Sequence, residues 1–294
     1  MNNIHYSINK PITATEYIDL INTTTMAKMR PIDQPKHIEQ ILKNSNLVVT
    51  ARLEGRLVGI ARSITDTHNF SYLSDLAVHA DYQKQSIGSH LIDQVQQQLG
   101  ETGFIFLGAY PEAMNYYPKI GFIKADAAWI LPKGQNIDAQ FTLNSLEDIK
   151  YKAHDSISVK EYIAFIETLP MADKKLIDQP ETLGKILQKP HHLMTARLEG
   201  KLVGVAKSVT DGHIFGFLSE LNVAPQYLEQ GLDIKLIDRI RKEHCSNTFL
   251  VSIENQNIKT NFLKLGFNQV KVGWYLPREK SVLLVPNLGA SKEI

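Results

Sequence analysis

Thr50-Ala51-Arg52-Leu53-Glu54-Gly55 returns letter for letter as Thr195-Ala196-Arg197-Leu198-Glu199-Gly200, an offset of 145 residues. The same offset carries Ile32-Asp33-Gln34-Pro35 onto Ile177-Asp178-Gln179-Pro180 and Lys119-Ile120-Gly121-Phe122 onto Lys264-Leu265-Gly266-Phe267. It also takes Trp129 to Trp274 and Pro132 to Pro277 without a gap. A repeat of this length is a whole domain built twice, because solenoid units recur every 20–50 residues. Lys133-Gly134-Gln135-Asn136 begins a polar stretch, and the boundary is expected near Asn144, giving domains 1–144 and 145–294.

Length and composition agree. The 294 residues are about two domains at roughly 150 residues each. At 43% hydrophobic and 21% charged, the chain has the material for ordinary globular cores. Thirty-two basic against 31 acidic residues leave a net charge of +1, too little for the broad field that draws nucleic acid. A single cysteine, Cys245, excludes an internal disulfide and a cysteine-rich metal site. The polar start, Met1 to Lys10, has no apolar core of a secretory leader, and no run reaches the ~20 apolar residues of a membrane helix. A soluble cytoplasmic protein, monomer or homodimer, without a membrane or nucleic-acid partner, is expected.

Within each copy the hydrophobic periods alternate. Tyr17/Leu20/Ile21 and Ile38/Ile41/Leu42 have helical spacing, and Leu47–Leu53 and Leu57–Ile64 read as strands of a hairpin turning at Glu54-Gly55. Phe70–Val78 is a third strand. Ile87, Leu91, Ile92, Val95 and Leu99 form one face of a helix that Gly100 ends. A strand at Phe104–Leu107, a short helix at Glu112–Ile120 and a strand at Ala127–Leu131 follow. The order predicts an α/β fold with a mixed sheet, present twice, and Ser281–Val285 reads as an extra edge strand.

The chemistry is expected where Leu73-Ser74-Asp75-Leu76-Ala77-Val78 feeds the amphipathic helix through His79–Gly88. A helix N-terminus offers unpaired N–H groups and the positive end of the dipole, which suit a diphosphate. Small residues at 86 and 88 allow a ligand close to the backbone.

Gln83-x-x-Ser86-x-Gly88 after this strand resembles the acyl-CoA pyrophosphate loop of the GNAT (Gcn5-related N-acetyltransferase) family. Tyr116-Tyr117-Pro118-Lys119-Ile120-Gly121-Phe122 is similar to the family's C-terminal Tyr-x-Lys-x-Gly-Phe signature, with Ala113 four residues before Tyr117. Both signatures stand in order inside a repeated unit, and the similarity covers nearly all of each copy. Ser86 departs from the family's middle glycine; a positive φ there would cost serine on the order of 1 kcal/mol.

The resemblance implies two tandem GNAT-type domains and acetyl-CoA as co-substrate. The cofactor would lie between Phe70–Val78 and Phe104–Leu107, held by backbone groups of Leu76, Ala77 and Val78 and by Gln83, Lys84, Gln85, Ser86, Ile87, Gly88 and Ser89. An N–H near Leu76 or Ala77 would stabilise the oxyanion, and Tyr117 would protonate the departing thiolate. Asp75 is the first candidate base, unless it faces solvent beside its strand. Glu54 is the second, unless it is only the hairpin residue, as Glu199 would be. The implied acceptor is a primary amine of a small molecule or peptide, shaped by loops that include Met26–Arg30. A pseudo-acetyltransferase that senses acyl-CoA without turnover is the alternative.

At the 145 offset Gln83 becomes Leu228, Ser86 Gly231, Gly88 Asp233, Tyr110 Asn255, Ala113 Ile258 and Tyr117 Phe262. A carboxylate in the first helical turn would occupy the N–H groups and repel phosphate. The first copy is therefore expected to be catalytic, and the second degenerate, serving folding or substrate shaping. His191-His192 lack a nearby third ligand and read as turn histidines, so no metal is expected. Cys245 reads as a semi-buried small residue, and His68 and His79 as bystanders in nearby loops.

Overall fold

The computed structural model describes residues 4–66, 70–100, 103–135, 137, 148–170, 177–188, 192–253 and 262–277. In chain order the elements are β1 (His5–Ile8), α1 (Ala14–Asn22), α2 (Pro35–Asn44), β2 (Leu47–Leu53), β3 (Arg56–Thr65), β4 (Phe70–Val78), α3 (Ile87–Gln97), β5 (Phe104–Gly108), β6 (Ile123–Lys124) and β7 (Ala128–Leu131). The second half adds β8 (Lys150–Ala153), α4 (Val159–Ile166), α5 (Pro180–Gln188), β9 (His192–Leu198), β10 (Lys201–Thr210), β11 (Phe215–Val223), α6 (Leu232–His244), β12 (Phe249–Ile253), β13 (Asn268–Gln269) and β14 (Gly273–Pro277). No helix among the described residues is long and apolar enough to cross a membrane. The expected strand at Ser281–Val285 and the boundary at Asn144 lie outside the described residues.

Local chemistry explains most of the boundaries. Thr13 and Glu16 form a reciprocal capping box at the start of α1, and Pro35 opens α2, where its missing N–H has no helical acceptor to lose. Glu54 and Gly55 both have positive φ, 49° and 83°, and Glu199 and Gly200 repeat them at 49° and 82°. That pair of angles makes the tight hairpin turns between β2 and β3 and between β9 and β10. The helix expected over Glu112–Ile120 is instead two 3-10 turns, Pro111–Ala113 and Tyr117–Ile120. Pro118, in the middle of that span, cannot donate the hydrogen bond a continuous helix needs.

Each copy packs its amphipathic helix on its sheet. In the first, Ile87, Leu91, Ile92 and Val95 of α3 are buried. A Cβ on Gly59 of β3 would come within 3.1 Å of the Ile87 and Leu91 side chains, so this glycine sets how closely helix and sheet approach. Leu232, Leu236, Ile237 and Ile240 of α6 do the same in the second copy. Each such buried aliphatic side chain contributes about 1.5–3 kcal/mol.

The sheets are not those of two sequential halves. The first runs β1-β2-β3-β4-β5-β14-β6 and the second β13-β7-β12-β11-β10-β9-β8. Strand β14, from the end of the second copy, pairs antiparallel with β5, Trp274 opposite Leu107. Strand β7, read as the closing strand of the first copy, pairs instead with β12, Trp129 opposite Ser252. Two compact units result: one runs to Ala125 and resumes at Val272, and the other is Asp126–Lys271. A cut at residue 144 would thus divide the second unit and leave the first without β14.

Candidate active site

In the first unit, β4 and β5 form a parallel ladder only from Phe70/Phe104 to Tyr72/Phe106. Just beyond it the register of β4 against β3 jumps, Ser63 facing Leu73 and Arg62 facing Asp75, so Ser74 is a bulge. A bulge bends and over-twists its strand, and β4 parts from β5 at this point. His79 N–H donates to the Val58 carbonyl at 2.9 Å, which turns His79 and, by alternation, Ala77 toward β3. The backbone groups of Leu76 and Val78 therefore point to the open side. The Val78 carbonyl accepts a hydrogen bond there from Gln83 Nε2 at 3.1 Å. Of the three residues expected to hold a ligand by their backbone, Leu76 and Val78 are placed for it, whereas Ala77 is engaged with β3.

The loop below this opening is strained. Lys84 and Ser86 have φ of 61° and 62°, a left-handed conformation that costs most side chains about 1–2 kcal/mol. Gly231, equivalent to Ser86, has φ 77° with no such cost. The left-handed turn makes Ser86 the N-cap of α3, yet its side chain makes no capping hydrogen bond. The N–H groups of Ile87, Gly88 and Ser89 therefore begin the helix without helical acceptors, at its positive end. Lys84, Gln85 and Ser86 are exposed, and the Ile87 side chain is anchored in the core. A Cβ on Gly88 would meet the Tyr116 hydroxyl at 2.8 Å and Val78 at 3.8 Å, so any larger residue here displaces the Tyr116 side chain.

Two adjacent tyrosines follow different paths. Tyr117 is buried in the core, its ring 5.2 Å from Phe122 and 5.5 Å from Tyr116. Burial, with a smaller effect of Tyr116, pushes its hydroxyl pKa above the usual tyrosine range, so it keeps its proton at neutral pH. Tyr116 is the one whose hydroxyl reaches the first turn of α3, a neighbour that motif matching passes over.

Asp75 is not placed as a base. It is buried between two guanidinium groups, Arg30 at 2.6 Å and Arg62, and accepts the Tyr17 hydroxyl at 2.9 Å. Although burial opposes ionisation, the two arginines outweigh it and hold the carboxyl well below the usual carboxylate range. A carboxylate so engaged has little affinity for a substrate proton. The second unit repeats the arrangement: Tyr162 donates to Glu220, and Lys207 lies 2.7 Å from the same carboxylate. Tyr17, Arg62 and Asp75 map by the 145 offset onto Tyr162, Lys207 and Glu220, a signal already present in the sequence. Glu54 is exposed at the hairpin tip in the same backbone conformation as Glu199, the geometry of a turn residue. His79 is buried and accepts Asp81 N–H at 3.2 Å, and Arg56 lies 3.0 Å from its other nitrogen. It shapes the loop. His68 lies outside the described residues.

The equivalent region of the second unit differs. The β11/β12 ladder continues one pair further, to Leu218/Ser252. Asp233 is buried in the first turn of α6, where the first unit has Gly88. Phe262 is buried against Trp129 and Phe267, at 5.9 and 5.0 Å between rings. Cys245 is fully buried and its thiol pKa is pushed up to about 11 by that burial, as for a small core residue. Asn255 and Ile258 lie outside the described residues.

Similarity to known proteins bears on the same segment. The sequence model of the acetyltransferase (GNAT) family matches residues 16–122, from α1 through the Gly121-Phe122 signature. An uncharacterized N-acetyltransferase ycf52 of Pyropia yezoensis is 33% identical over 127 residues, 41% of this chain and 71% of the relative. This chain belongs to the GNAT acetyltransferase family. The GNAT fold is also that of the GCN5-related glucosamine N-acetyltransferase region of a fungal multi-domain GH3 beta-N-acetylglucosaminidase. The two share 15% identity at a TM-score of 0.51, over 94% of this chain and 38% of that one. A tandem GNAT protein from the clavulanic acid biosynthesis pathway is similar at a TM-score of 0.49 and 13% identity, over 94% of this chain and 99% of that one.

Proposed function

We propose that the first unit binds acetyl-CoA and transfers its acetyl group to a primary amine of a small molecule or peptide, and that the second unit has no acetyl-CoA site. One observation carries this reading. The open edge of β4 ends at an uncapped helix N-terminus in the first unit, whereas a buried carboxylate stands at that turn in the second. The N–H groups of Ile87, Gly88 and Ser89 fit a diphosphate, and the bare α-carbon of Gly88 leaves room for it beside Tyr116. Leu76 and Val78 offer the strand-like groups for the pantetheine arm, once the Gln83 side chain releases the Val78 carbonyl.

In this scheme the amine nitrogen attacks the thioester carbon, the carbon–sulfur bond breaks, and the sulfur leaves as thiolate. The Leu76 N–H is the donor for the developing oxyanion, a contact type worth about 3–4 kcal/mol elsewhere. With Asp75 engaged by two arginines, the amine enters already neutral, its proton given to water. The thiolate takes a proton from a tyrosine, and the proton that the nitrogen sheds on becoming an amide returns through water to that tyrosine. Tyr117 holds the motif position, and the contact of the Tyr116 hydroxyl with the Gly88 turn favours Tyr116 as a second reading.

Two measurements test the proposal. Calorimetric titration with acetyl-CoA should give one site per chain; two equal sites would refute the division of roles. A thiol-release assay across a panel of amines should show turnover with at least one. Binding without release from any amine would point instead to an acyl-CoA sensor.

A further inference from the structure

We propose that His154, His192 and His244 form a binding site for one divalent transition-metal ion, zinc above all, in the second unit. The sequence separates these residues by tens of positions, which is why His192 reads there as lacking a third ligand. The fold brings them together: His154 follows β8, His192 opens β9, and His244 closes α6. Each offers one ring nitrogen, and these three nitrogens all lie within 4.8 Å of one another. The His192 and His244 rings stack at 4.1 Å, and the His154 ring stands nearly perpendicular to both, at 5.7 and 5.0 Å. Around a tetrahedral zinc with bonds of about 2.0–2.1 Å, ligand atoms sit about 3.3 Å apart. Binding would draw the three nitrogens together by rotation of the side chains on a backbone that already places them side by side. His154, with φ 52°, is held to β9 by its N–H donating to the Leu193 carbonyl at 2.8 Å.

The first unit supplies an internal control. At the 145 offset the three histidines become Asn9, Leu47 and Leu99. Asn9 keeps both the positive φ, 52°, and the equivalent bond, to the Val48 carbonyl at 2.7 Å. Leu47 and Leu99 are core residues, 3% and 4% exposed. The same backbone frame thus holds two packed leucines in one unit and two stacked imidazoles in the other. Burying polar rings is costly unless their nitrogens find partners. Yet His244 Nε2 is buried with no hydrogen-bond partner. A metal ion would supply that partner.

Imidazole is a borderline ligand that suits zinc, copper, nickel and iron, whereas calcium and magnesium prefer oxygen. The cluster offers three imidazoles and, among the described residues, includes no carboxylate or thiolate, which leaves a fourth position for water. His154 is exposed, so an ion has a route from solvent.

The test uses the full-length chain without an affinity tag, stripped with a chelator and titrated with zinc chloride by calorimetry. Cobalt(II) absorption serves as a second probe. One site per chain is expected, together with a rise in melting temperature on adding zinc. His154→Asn, copying the first unit, should weaken zinc more than about ten-fold through loss of one imidazole. The double variant His192→Leu/His244→Leu should fold and lose both the site and the zinc-induced rise. If the double variant does not fold, the exposed His154→Asn decides alone. No zinc binding by the unaltered chain, or binding that His154→Asn leaves unchanged, would overturn the proposal.

Discussion

Gly88 and Asp233 stand at the same point of two equivalent helices, one with its bare α-carbon facing the Tyr116 hydroxyl, the other carrying a buried carboxylate. The second copy is thus a ready experiment on the first. Gly88→Asp should leave the fold intact, because α6 carries that residue in its first turn and the side chain it displaces, Tyr116, meets it only through its terminal hydroxyl. It should weaken acetyl-CoA by at least about 100-fold, since it adds both a contact with Tyr116 and a negative charge beside the diphosphate. Calorimetry on the folded variant checks this.

The two tyrosines separate kinetically. With Tyr117 as the acid, Tyr117→Phe lowers kcat by roughly 10²-fold or more, the usual range for a positioned acid, and leaves acetyl-CoA affinity nearly unchanged. Tyr116→Phe then has the smaller effect. The reverse order, read from steady-state kinetics on both variants, would assign the proton to Tyr116.

Asp75 should matter for stability before it matters for chemistry. Removing one partner of a buried ion pair costs about 3–5 kcal/mol, so Asp75→Asn should show a large loss in denaturant unfolding. Because the folded pKa is depressed, the stabilisation is fully present above the unfolded value of about 3.9 and is lost only as pH falls through the lower folded value. Stability between pH 5 and 8 should therefore not vary on account of this group. The pH profile of kcat/KM should follow the pKa of the amine substrate, not that of a carboxylate.

A chain ending at Lys271 keeps every residue of the proposed acetyl-CoA site, yet it should fail to bind. Its loss of β14 removes Trp274, 9% exposed in the core, and leaves the β5 edge without its partner. An open edge of this kind invites association between chains. Size-exclusion chromatography and calorimetry on the truncated protein test both outcomes.

Much of the fold is legible from residues alone, since the hydrophobic periods and the Glu54-Gly55 and Glu199-Gly200 turns are local signals. The strand exchange is not. Trp129 and Trp274 are equivalent under the repeat, and either would satisfy either sheet, so no pattern distinguishes an exchanged pairing from a sequential one. The loop proposed to hold the diphosphate is likewise local, and Ser86 takes the left-handed conformation that its position demands. Asp75 is different: its partners Arg30 and Arg62 come from a turn and a neighbouring strand, and a carboxylate's role depends on what surrounds it. The three histidines share this difficulty, lying just after β8, at the start of β9 and at the end of α6 with no common spacing.

The exchanged strands also set a timetable. The first unit holds β1 to β6 by residue 124 but lacks β14 until residue 277, whereas the second is completed by β13 at residue 269. At roughly 5–20 residues per second, a nascent first unit waits roughly 8–30 seconds with β5 unpaired on one side. Vectorial folding, first domain before second, is closed to this protein. Neither half can reach its final form before residues 269 and 277 emerge, so the second copy cannot be discarded without stranding the first.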